Sequence, residues 1–136
     1  MQSTERYAMI AARILVAAIF MLTGFNIIGS TIAAHEMAAQ GFPTGLIPIL
    51  INSGRALQLI AGTGLILGIY PRLSALALLL FLIPATIIGH AFWKTIGTPM
   101  YPAQLINFSK NVCMAGGLIF IMAMGGQPVL LPRSGR

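Results

Sequence analysis

Long apolar stretches alternate with short turn-rich pieces along the 136 residues. A membrane-spanning helix needs about 20 mostly apolar residues. Four stretches meet that requirement, at about 9–29, 46–70, 73–93 and 104–125. Between them lie "QGFPTG", "YPR" and "GTPMYP", which are rich in turn formers. Short connections join antiparallel neighbours, so the pattern predicts an all-α fold: a four-transmembrane-helix antiparallel bundle, forming a single membrane domain over 1–136. The first stretch also has features of a secretory signal peptide, with a basic start and a small-residue "TIAA" segment. Its apolar run is long for that role and reads better as a span. The tail "GGQPVLLPRSGR" carries Pro128 and Pro132, which argue against a continued helix.

Polar residues interrupt the apolar stretches at helical spacing. In "LINSGRALQLIAG", from Leu50 to Gly62, the residues Asn52, Arg55, Gln58 and Gly62 recur every three or four positions and are expected on one face. Arg55 is nine residues beyond Leu46, about 13 Å along the helix and near the middle of a hydrocarbon core roughly 30 Å thick. In the fourth stretch Asn107, Lys110, Asn111 and Met114 repeat the pattern, with Lys110 about 9 Å from the expected start. Thr86 and His90 form an i, i+4 pair in the third, close to Pro84, and Asn26 sits near the end of the first. Lipid offers no hydrogen-bond partners. These groups are therefore expected to face inward and to form a polar, cationic pocket in one half of the bundle. Simpler readings exist for each: Lys110 snorkelling to the surface, His90 bonding at the interface, Arg55 tying neighbouring helices together.

Composition sharpens this. Hydrophobic residues make up 57% of the chain and charged residues 7%, against about 25% charged in soluble domains. The net charge is +6, with Glu5 and Glu36 the two acids. The basic residues are scattered and leave no basic face, so no nucleic-acid partner is expected. They read instead as a topology signal. Arg6, Arg13, Arg72, Arg133 and Arg136 fall on one side of a four-span chain and Lys94 on the other, which predicts both termini cytoplasmic. Glu36, in the first outer loop, is the acid on the side of the expected pocket and is the expected charge partner of Arg55 or Lys110.

Several chemistries lack their residues. His35 and His90 do not offer paired axial haem ligands at matched depth. No Cys, His and acid cluster suits a metal, and no covalently bound cofactor is expected. Asp is absent, so no Ser–His–Asp set exists. Cys113 stands alone in an apolar run and reads as a small buried hydrophobe. Gly64 and Gly68 form a G-x-x-x-G, and Gly116 and Gly117 are adjacent; both fit close helix packing.

The stretches "GFP" at Gly41–Pro43, "QLIAGTGLILGIYPRLSAL" from Gln58, His90, and "NFSKNVCMAGGLI" from Asn107 occur in an order that resembles the DoxX family of small four-helix membrane proteins. The resemblance implies a bacterial inner-membrane, multi-pass protein whose role lies near quinone redox chemistry. Its implied partners are the bilayer and other membrane subunits or a second copy. Family members often carry Glu where this chain has Gln58, whereas Asn107, Lys110 and Asn111 follow the family pattern. On this reading the protein is a quinone- or lipid-associated subunit of a membrane oxidoreductase system. Arg55, Gln58, His90, Asn107, Lys110 and Asn111 would surround a quinone head group. The alternatives are a non-catalytic structural or interaction subunit, and a small-anion carrier.

Overall fold

The structure, a computed structural model, describes residues 3–124. It is all-helical over those residues: α1 Ser3–Gly24, α2 Thr31–Ala39, α3 Ile47–Leu67, α4 Pro71–Gly89, a 3₁₀ turn at Phe92–Lys94, and α5 Tyr101–Met124. Four helices are long and apolar enough to cross a membrane, within Thr4–Gly24, Ile47–Leu67, Pro71–Lys94 and Tyr101–Met124. The expected loose tail, with Arg133 and Arg136, lies outside the described residues.

Contacts between side chains set the direction of each helix. Thr23 of α1 meets Gln58 of α3, and Met21 meets Gly62, so α1 and α3 run oppositely. Gly54 against Phe81 and Gly64 against Ser74 make α4 antiparallel to α3. His90 against Gln104 and Asn111 against Thr86 do the same for α4 and α5. The spans close into a ring, since α5 also packs on α1. Its core includes Ala17, Phe20, Leu65, Leu78, Leu118 and Ile121, all nearly inaccessible. Large apolar side chains such as Leu15, Ile60 and Leu73 point outward, where lipid rather than water satisfies them.

The first span differs most from the expected 9–29. It starts at Ser3 and stops at Gly24. The Thr23 hydroxyl turns back onto the carbonyls of Ile19 and Phe20. Asn26 then takes a left-handed conformation (φ 61°), which Asn tolerates better than most residues. The amides of Ile27 and Ile28 close on Leu22 O. Because Gly24 lies opposite Arg55 and Leu59, α1 covers only half of α3. Beyond it α2 packs on α3 and α4, tied by Gln40 Nε2 donating to Ile88 O. We call this end of the bundle distal, and the end where α1 and α4 begin proximal.

The second and third spans meet in a tight turn, and the expected limits at Tyr70 and Leu73 move to Leu67 and Pro71. Gly68 ends α3 at φ 71°. Its amide bonds to Leu65 O, and that of Ile69 to Gly64 O, the pairing of a Schellman cap. Pro71 opens α4, where its missing N–H costs nothing. The two glycines of the G-x-x-x-G therefore differ in role: Gly64 gives close packing, and Gly68 supplies a conformation. Gly68→Ala is expected to cost about 1 kcal/mol through the left-handed penalty, read as a lower midpoint in detergent unfolding.

Candidate functional site

The fold spends most of the expected site residues on ties between neighbouring helices. Arg55 Nε donates to Gly24 O at 3.0 Å, linking α3 to the last turn of α1. Gln58 is 5% exposed; its Nε2 donates to Gly54 O at 3.2 Å, and its Oε1 accepts from the Thr23 hydroxyl. His90 caps α4 and pairs through Nδ1 with Gln104 Oε1 at 2.9 Å. Asn111 Nδ2 donates to Thr86 Oγ1 at 2.9 Å, while Thr86 donates to Leu82 O at 2.7 Å. One tie thus joins α1 to α3 at each of two levels, and two join α4 to α5. In a medium without water each buried polar group needs such a partner.

Asn107 and Lys110 are different. Neither side chain has a hydrogen-bond partner among the described residues; Asn107 is half-buried and Lys110 exposed. Since α5 begins at Tyr101 rather than 104, Lys110 lies about 13 Å from its distal end, deeper than the spacing suggested. It lies on an open face of α5 with Leu105, Ile106, Ser109, Cys113 and Met114. Helical spacing explains the opening. Lys110, Met114 and Gly117 share a face, and Gly117 packs against Val16 of α1. Two turns nearer the distal end α1 reaches its last turn at Gly24, and Lys110 is exposed there.

Other expectations are corrected. Cys113 is exposed on α5, not buried in the packing. Asn52 is exposed although Gln58 and Gly62 are buried, because it lies on the edge of the α3 polar face turned away from α4. Glu36 sits half-buried on α2, and no ion pair or hydrogen bond joins it to Arg55 or Lys110 among the described residues. α2 leans mainly on α3 and α4.

The sequence reading missed Arg13. Its charge suggests the proximal end, yet it is 1% exposed, with Nε and Nη1 enclosed by protein. It lies one turn before Ala17 on the buried face of α1. Extending the α1–α3 register places it opposite the Gly68 end of α3. Its position inside "IAARILVAAIF" was the available signal once the span is started at Ser3. Thr23, Gln40 and Gln104 were also missed. Gln104 extends the Asn107–Asn111 stripe by one further step of three.

A sequence model of the DoxX family matches residues 8–91, which take in α1 through α4. The chain belongs to the DoxX family. The matched stretch ends before α5, so the segment from Asn107 lies beyond it. The chain is also 29% identical, over 126 residues, to the inner membrane protein YphA of Escherichia coli (strain K12), covering 92% of this chain and 88% of that one. No solved structure matches the chain. Four spans, DoxX membership and the inner-membrane relative together make this a multi-pass inner-membrane protein in contact with the lipid bilayer.

Proposed function

We propose that this DoxX protein serves as a non-catalytic membrane subunit of an oxidoreductase system, contributing a docking face rather than a reaction centre. The observation that carries this reading is the use of Arg55, Gln58, His90 and Asn111 as ties between helices. Groups held in this way position the bundle. Arg6 and Arg72 at the proximal end, against Lys94 at the distal end, support cytoplasmic termini; the buried Arg13 drops out of that count. Mild solubilisation of native membranes should yield the protein in an assembly that contains a redox subunit and falls apart in harsher detergent. A monomer as the sole species in every mild detergent would refute the proposal.

A quinone-associated form of the same reading rests on Asn107 and Lys110. Both are donors without a protein partner, one turn apart on α5, and a quinone head offers two carbonyl acceptors. A short-chain quinone analogue should then raise the thermal midpoint of the purified protein, and Lys110→Leu should remove that rise. A shift that survives Lys110→Leu would place quinone elsewhere.

A further inference from the structure

We propose that the distal half of α5 is the seat of a transmembrane helix from another subunit, and that this helix carries a carboxylate facing Lys110. The inference rests on the subunit reading above and names the chemistry of its partner. Lys110 is exposed at mid-span on an uncovered face of α5. Bare lipid is a costly surrounding for an ammonium group, and such residues pair with an opposite charge. The face around it has small residues at Ser109 and Cys113, and Gly116 follows one turn on with open space where a Cβ would point. Small residues allow a second helix backbone to approach closely, which favours a helix as occupant.

Depth argues against the phosphate of a lipid. Trp93 and Tyr101 lie at the distal end, both packed edge-to-face on Phe92, and Trp and Tyr mark the membrane interface. Lys110 lies nine residues below Tyr101, about 13 Å. Side chains lean toward the helix N-terminus, so the ammonium of Lys110 leans back toward that interface, but its stem recovers only roughly half of the distance. Charge argues against a second copy. Packing α5 on α5 would bring two lysines together away from water. The chain's own acids are remote: Glu5 opens α1 at the proximal end, and Glu36 sits on α2 against α3 and α4.

The chain's one cysteine makes the test direct, since Cys113 lies on the same face one turn deeper than Lys110. The full chain is reconstituted in phosphatidylcholine vesicles with a leucine-rich transmembrane peptide. The peptide carries one Glu, or one Gln, at mid-span, and a cysteine three residues from it. Oxidation should trap about fivefold more Cys113–peptide disulfide with the Glu peptide than with the Gln peptide. Lys110→Gln should erase the preference, and Lys110→Glu paired with a Lys peptide should restore it. Equal yields with the Glu and Gln peptides would overturn the proposal. So would Cys113–Cys113 dimers outcompeting the peptide, which identify a self-docking face. Loss of the preference on adding phosphatidylglycerol would also overturn it, because a net anionic headgroup then neutralises Lys110. Failure here with an intact native redox assembly removes only this seat; success without any such assembly removes the oxidoreductase reading instead.

Discussion

Gly64→Val is expected to lower folding stability by about 3 kcal/mol, the upper range for overpacking a close contact. A Cβ at Gly64 would lie 2.6 Å from Ser74 Oγ and 3.2 Å from Ile69 O. The first neighbour is a short, buried side chain, and the second is backbone, so neither can yield cheaply. Both belong to the α3–α4 turn: Ser74 Oγ donates to Ile69 O at 3.2 Å, and the Ile69 amide closes the cap on Gly64 O. Valine would therefore push α4 away and loosen the cap together. Helix propensity works in the opposite sense by up to about 1 kcal/mol for Gly→Ala, so the contact term decides the sign. Gly116→Ala is the control, because nothing lies within 4 Å of its Cβ position. Unfolding in mixed micelles should show a large fall for Gly64→Val and none for Gly116→Ala. Adding Ser74→Ala to Gly64→Ala should recover part of the alanine variant's loss. A valine variant as stable as the parent would mean that α3 and α4 do not meet at this point.

Much of the bundle was legible because length and hydropathy answer to the bilayer. Four apolar runs with short Pro- and Gly-rich connections leave few arrangements other than antiparallel spans. What stayed hidden was where the helices stop. Asn26 and Gly29 are ordinary residues in an apolar stretch until the left-handed turn at their positions is seen. α2 was hidden for a related reason. Its sequence "TIAAHEMAA" has almost no amphipathic pattern and no buried residue, so periodicity carried little information about it. The start of α1 at Ser3, rather than near residue 9, is what moves Arg13 from the helix end to the interior.

The polar residues of the site were found on helical spacing, and four of them do hold helices together. Spacing within one helix could not say which helix each would meet. Gln58 meets Thr23, and His90 meets Gln104; these pairings depend on the register between helices, which turns and glycine contacts set. It also could not separate Asn111, which bonds to α4, from Lys110 one residue before it, which faces outward. One residue turns a helix by 100°, enough to exchange protein for lipid. The same rotation explains why Cys113 is exposed while Met114 is half-buried.

Arg55→Leu is expected to cost about 1.5–3 kcal/mol, the range for a hydrogen bond to a charged group. Gly24 O is among the last carbonyls of α1, which have no partner within their own helix. At mid-span water does not replace a lost donor, so the carbonyl would be left bare against apolar surroundings. The positive guanidinium also lies at the negative end of the α1 dipole, a favourable placement that leucine cannot supply. Arg55 is half-buried, which keeps the cost within that range rather than above it. Arg55→Lys should recover part of the loss, since an ammonium still donates but lacks the planar fork. Lys110→Leu makes the informative contrast. That side chain donates to no protein group among the described residues, and its removal should leave the isolated chain at least as stable. The two variants therefore separate the roles of the two cations: a thermal midpoint lowered by Arg55→Leu and not by Lys110→Leu assigns Arg55 to holding α1 on α3 and leaves Lys110 for a partner. An unchanged midpoint for Arg55→Leu would break that assignment and return Arg55 to the set of groups available to a ligand.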